Sequence, residues 1–302
     1  VRVLEIIENS LENHIKKWRD IYVVIKAMLT IAQKRVLKDI GILEKNKAEL
    51  HSRGIFWHFN EENIKSGAFL IIPKHKETNP QFTSPYTNGL FLFEIDIPDD
   101  FPLSPPRLTF NPKQSRYRLH PNYYENGKVC LSVVNTWSGN DWTPSTSLMS
   151  IANILEERFN ENSLRFEPGH EQDFDNKIIL FNKIIKYGVA DVAICAVFEN
   201  KYKEYNIFRD IIREHWNSDF LHTVEKLAQD NPNSINMKQD SYNHFVDINW
   251  TGLYERLKRS YTNFLAKPRE QADQREQAEL REQAELREQA NQRADVAPAS
   301  NP

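Results

Sequence analysis

The chain has 302 residues, 40% of them hydrophobic, with 39 Lys and Arg against 42 Asp and Glu and a formal net charge of −3. That is enough apolar material for one large core or two modest ones without metals or disulfides, and the near-neutral balance excludes long-range attraction to nucleic acid or an anionic membrane. Neither of its two cysteines, Cys130 and Cys195, has a Cys or His nearby at metal-ligand spacing, so no metal site or disulfide framework is expected, and reduced thiols in a cytoplasmic or nuclear compartment are.

Residues 1–50 are rich in Leu, Ile, Lys and Glu, contain no proline, and read as two helices, with 1–26 as an N-terminal extension. In the second helix Ile25, Leu29, Val36, Ile40 and Leu43 recur at helical offsets, which leaves Lys26, Lys34, Arg35 and Lys38 on a solvated basic face. The most apolar run, residues 22–32, is interrupted by Lys26 and falls short of the roughly 20 apolar residues that span a bilayer, so no transmembrane segment is expected. From 52 to 112 the pattern changes. Runs at 68–72, 89–97 and 107–110 are aromatic and β-branched, bounded by Pro, Asn, Gly and Ser, and predict an antiparallel meander with short turns.

Helical patterning returns at 147–159 and continues over 176–198, 205–230 and 242–266, with breaks at Gly188, Asn231-Pro232 and Asn233. Helix, sheet, then helices gives an α+β class, with a core over 27–200 and a helical extension over 201–267. After Pro268 a hexapeptide built on Arg-Glu-Gln-Ala starts at Arg269, Arg275, Arg281 and Arg287. Its period matches neither 3.6 nor 3.5, so residues 268–302 are expected to be a solvated helix or a disordered tail. Abundant Asn, Ile and Lys fit an AT-rich genome, such as that of a eukaryotic parasite or a large DNA virus.

The unusual chemistry is concentrated in residues 120–144, HPNYYENGKVCLSVVNTWSGNDWTP. Residues 128–134 read as a short extended segment, where a single cysteine is more often a small core hydrophobe than a nucleophile. The tight-turn signal Asn126-Gly127 before it, and the polar, glycine-containing loop with two tryptophans after it, can instead keep a thiol at the surface. Cys195, in the apolar run 192–197, is expected to be buried and inert.

In this region the chain resembles the ubiquitin-conjugating enzymes. Residues 84–93 (SPYTNGLFLF) are similar to the turn and strand after that family's first hairpin, and 101–110 (FPLSPPRLTF) to its proline-rich loop and third strand. His120-Pro121-Asn122 ends eight residues before Cys130, the family's spacing, and Trp142-Thr143-Pro144 resembles its tryptophan-led loop, displaced by the added length of 135–141. Residues 128–137 (KVCLSVVNTW), together with Phe159-Asn160-Glu161, are nearest to the large conjugating enzymes, such as the giant inhibitor-of-apoptosis conjugating enzyme and the hybrid conjugase-ligases.

The resemblance implies the ubiquitin-conjugating fold, a four-stranded antiparallel meander with flanking helices. It also implies that Cys130 carries ubiquitin or a relative as a thioester, received from an activating enzyme and passed to a substrate lysine. No cofactor is then bound directly, because ATP is consumed upstream by the activating enzyme. His120 supports the loop rather than acting as a base. Asn122 either donates to the developing oxyanion or ties its own loop. Glu161, departing from the subgroup's Asn-Glu-Pro-Gly, is the candidate that orients the attacking lysine, with Asp141 as its competitor. Leu103, Pro144 and Ser145 would meet a ubiquitin ligase, and Lys34, Arg35 and Lys38 the activating enzyme. Two alternatives stand beside this: a hybrid conjugase-ligase needing no separate ligase, and a non-catalytic ubiquitin-binding scaffold.

Overall fold

Thr30 starts the first described helix because its hydroxyl accepts from the Gln33 amide while the Gln33 side chain accepts from the Thr30 amide, a reciprocal capping box. In the computed structural model, which describes residues 29–74, 84–111, 117–139, 141–173, 175–239, 242 and 244–266, this helix α1 spans Ile31–Lys45 and is followed at once by α2, Lys47–Ser52. Ala32, Val36, Asp39 and Leu43 form its buried stripe. The expected extension over 1–26 and the repeat tail over 268–302 lie outside the described residues.

Four strands, β1 Ile55–Phe59, β2 Ser66–Ile71, β3 Phe91–Asp96 and β4 Arg107–Asn111, pair antiparallel in the order β1-β2-β3-β4. The predicted meander is therefore present, in the register Phe56↔Leu70↔Leu92 and Phe93↔Phe110. Helix α3, Leu148–Glu157, is capped by the Ser147 hydroxyl and buries Leu148, Ile151, Ala152 and Leu155 against the sheet. Arg53 fixes that packing: it donates to Asn153 Oδ1 at 2.9 Å and to the buried Glu156 carboxylate at 2.8 Å.

Two sequence expectations fail further on. Gly188 does not break a helix: α4, Asp175–Gly188, runs on with Gly188 at φ −59° and ψ −39° into a seven-residue π-helical stretch, Val189–Cys195. The glycine is needed for approach instead, since a Cβ there would lie 2.9 Å from Tyr117 Cγ and 3.0 Å from Leu119 Cδ2. After α5, Arg209–His215, and α6, Phe220–Asp230, the region read as helix from 242 opens with a β-hairpin, β5 Ile235–Gln239 and β6 His244–Ile248. Val246 and Ile248 face in while Phe245 faces out, a period of two that the following helix α7, Trp250–Ala266, masks in any long window.

The residues past 200 pack into the same core. Tyr205 lies over the sheet, where its hydroxyl accepts from the Leu92 amide at 3.3 Å and lies 2.9 and 3.2 Å from the Leu90 and Asn111 carbonyls. Leu253, Leu257 and Phe264 of α7 are buried with Val189, Ile194 and Cys195. No helix of the described residues is long and apolar enough to cross a membrane.

Candidate active site

An aromatic floor sets the loop that begins at His120. Phe91, Phe93, Phe110, Tyr123 and Phe159 meet beneath it, with Phe91 and Phe159 stacked at 4.2 Å and Phe93 edge-on to Tyr123 at 4.9 Å. The His120 ring stacks on Tyr123 at 4.4 Å and is fully buried. Its Nδ1 accepts from the Asn122 amide at 3.0 Å, which leaves Nε2 to donate to the Arg158 carbonyl, also at 3.0 Å. Burial lowers its pKa to about 3, so it is neutral at ordinary pH. Both ring nitrogens are occupied, so His120 is the loop's support and not a base for the thiol.

Across this loop the Cys130 amide donates to the Asn122 carbonyl at 2.8 Å, which places the two residues side by side although eight positions separate them. The Asn122 side-chain oxygen is buried without a hydrogen-bond partner among the described residues. It does not tie its own loop in the way an asparagine after proline often does. Cys130 departs from its expected accessibility: it is 3% exposed, and its Sγ donates to the Thr136 carbonyl at 3.4 Å. The extended segment ends at Leu131, and a single 3-10 turn, Ser132–Val134, leads to Asn135 in the left-handed region at φ 56°. Asn135 Oδ1 then accepts from the Trp142 amide at 2.8 Å, which closes the added loop back on itself. Trp137 within it is 49% exposed.

The three elements expected to meet partners come together through Arg35. This corrects its placement on a free basic face: the side chain is 15% exposed, pairs with the buried Asp39 at 3.0 Å, and donates to the carbonyls of Pro144 and, at 2.5 Å, Thr146. It also lies over the Phe101 ring at 5.5 Å. Trp142 packs against Phe101 and donates through Nε1 to the Pro102 carbonyl at 2.8 Å, joining the proline-rich loop to the tryptophan-led one. Leu103, Pro144 and Ser145 are exposed on the outside of that junction, and Lys34 and Lys38 are exposed on α1.

Glu161 stands apart. It is half-buried, its carbonyl accepts from Asn182 Nδ2 at 2.9 Å, and no hydrogen bond or ion pair among the described residues joins it to Cys130 or Asn122. Asp141 is exposed in the added loop. Cys195 is fully buried as expected, and desolvation pushes its thiol up to about 11. Among the described residues no group of His, Cys, Asp and Glu could hold a metal ion. Sequence reading missed Thr136 and the Arg35 junction, since both depend on contacts that close only in three dimensions.

The model of the family described as "Ubiquitin-conjugating enzyme" matches residues 42–186. "Ubiquitin-conjugating enzyme E2 Z" of Xenopus tropicalis is 34% identical over 158 residues, 49% of this chain and 50% of that protein. The protein of the same name from Danio rerio is 38% identical over 145 residues, 45% of this chain and 44% of that one. "Putative ubiquitin-conjugating enzyme E2 39" of Arabidopsis thaliana is 39% identical over 144 residues, 46% and 42% respectively. The chain spans about half the length of these relatives or less. The finer placement beside the giant inhibitor-of-apoptosis conjugating enzyme receives no support from these matches.

Proposed function

We propose, for a chain that belongs to the ubiquitin-conjugating enzyme family through residues 42–186, that Cys130 accepts ubiquitin as a thioester from an activating enzyme and passes it to a substrate lysine. The observation that carries this reading is the bond from the Cys130 amide to the Asn122 carbonyl, which sets a thiol beside an asparagine whose side chain is not consumed by its own loop. In charging, Cys130 Sγ attacks the incoming thioester carbonyl, a new S–C bond forms as the old one breaks, and the thiol proton ends on the donor's cysteine. In transfer, the lysine amine attacks that carbonyl, negative charge grows on its oxygen while the Asn122 side-chain amide donates to it, and as the charge collapses the new N–C bond replaces the S–C bond, Cys130 leaving as the thiol with the proton that the amine gives up. Activation of the ubiquitin terminus lies upstream, so a modest thiolate fraction suffices.

The exposed surface around Leu103, Pro144 and Ser145, held to α1 by Arg35, is the site proposed for a ligase, with Lys34 and Lys38 for the activating enzyme. Trp137 offers a further aromatic contact beside the thiol. Glu161 keeps only its position after α3 as a claim to a role. The 3% exposure of Cys130 is the one observation that favours a second reading, a non-catalytic scaffold.

Charging decides between them. With activating enzyme, ATP and ubiquitin, the chain should form an adduct that reductant removes; Cys130→Ser should give a reductant-resistant ester, and Cys195→Ser should behave as the parent. No adduct with ubiquitin or its common relatives would leave the scaffold reading. Asn122→Ala should charge normally yet discharge to lysine about a hundredfold to a thousandfold more slowly, as expected for one lost oxyanion donor. Equal loss in both steps would return Asn122 to a structural role.

A further inference from the structure

Thr136 lies six residues beyond Cys130 and is bound three times to one neighbour. Its amide donates to the Leu131 carbonyl at 3.1 Å, and its hydroxyl accepts from the Leu131 amide at 2.8 Å while donating back to the same carbonyl at 3.0 Å. These bonds fix the plane of the following peptide and aim the Thr136 carbonyl at Cys130 Sγ, 3.4 Å away. Cys130 is 3% exposed, so in this arrangement an electrophile has little access to the sulfur. A carbonyl oxygen accepts from a thiol S–H, but it has nothing to accept from a thiolate or a thioester and faces their lone pairs instead.

We propose that Thr136 is a positioning residue whose carbonyl caps the Cys130 thiol, and that it must lift away before the sulfur can react. Its bearing on catalysis rests on the thioester reading above; the cap itself does not. The side-chain hydroxyl makes two of the three bonds to Leu131, so the closed state depends on a group that a single substitution removes without touching Cys130 or Asn122.

The test is the alkylation rate of Cys130 by iodoacetamide near neutral pH in the full chain, with Cys195, fully buried, as the internal reference. Thr136→Val, which keeps the shape and the backbone bond but loses the hydroxyl, should speed alkylation about tenfold or more, the effect of losing two neutral hydrogen bonds. Thr136→Ser should restore the parent rate. A Val variant that remains folded and reacts at the parent rate overturns the proposal. So does a Ser variant as fast as Val. In the unsubstituted protein, hydrogen exchange at the Leu131 amide and alkylation of Cys130 should report the same opening constant, because both need Thr136 detached; a thiol that reacts freely while that amide stays protected overturns it independently of any variant. These rates are read without ubiquitin, so a failure to charge counts against the thioester reading alone.

Discussion

His120 is neutral because it is buried, and that has a pH signature of its own. Its folded pKa, lowered to about 3 from the ordinary 6.5, means that as pH falls the unfolded chain takes up the proton first. Its stabilising contribution is therefore complete above 6.5 and erodes between 6.5 and about 3, at about 1.4 kcal/mol per pH unit for one proton. Denaturant unfolding of the parent and of His120→Gln over that range should show slopes differing by about one proton; parallel slopes would mean His120 is solvated. Cys195 is the opposite case. Desolvation raises its thiol to about 11, so it stays protonated and unreactive where Cys130 is expected to work. The sequence made that distinction only in part: the apolar run around Cys195 was visible, whereas the cap on Cys130 comes from a carbonyl six residues later that no side-chain pattern announces.

Among the elements, the contact between α1 and the two loops is decided by Arg35. Its guanidinium joins Asp39, Pro144 and Thr146, and the same Asp39 carboxylate accepts from the first amide of α3, Leu148 N, at 3.2 Å, where the helix dipole favours a negative charge. Arg35→Met should keep the aliphatic stem but leave Asp39 without its cation, lowering stability by about 1–3 kcal/mol and loosening the 143–146 loop. Hydrogen exchange of the Leu148 and Thr146 amides reads this directly; unchanged protection would show that the loop is held by the Trp142–Pro102 bond instead. The strands were legible because Phe, Ile and Leu at β2, β3 and β4 are bounded by turn residues. The β5–β6 hairpin was not, because its five-residue strands carry Asn236, Lys238 and Asp247 on their outward face and adjoin a 17-residue amphipathic helix.

At the scale of the whole molecule, a partly buried charge network binds the last described helix to the approach to the site. Arg256 on α7 donates to Asp191 at 2.5 Å and to Glu199 at 2.7 Å, and the same Asp191 accepts from the Tyr117 hydroxyl at 2.8 Å, three residues before His120. Arg256→Met takes the guanidinium away from the almost fully buried Asp191 and leaves Glu199 to Lys201, and should cost about 1.5–3 kcal/mol of unfolding free energy, the range for hydrogen bonds to charged groups. Ending the chain after Asp230 removes Arg256 and uncovers Ile194 and Cys195, so that product should unfold with lost cooperativity rather than remain an independent catalytic core. A sharp transition near the parent midpoint would refute this. By itself the sequence determined the class and three runs of the meander, because strand periodicity and turn residues are local properties; the fourth strand, Ile55–Phe59, and the importance of the residues around Cys130 were implied only by the resemblance that the motif spacing carries. The tertiary structure alone decided that Arg35 is a lock, that His120 is neutral, that Thr136 covers the thiol and that the residues past 200 share the core. Each of those depends on burial and on hydrogen bonds between groups distant along the chain or set by the exact fold of a loop, which linear spacing does not record.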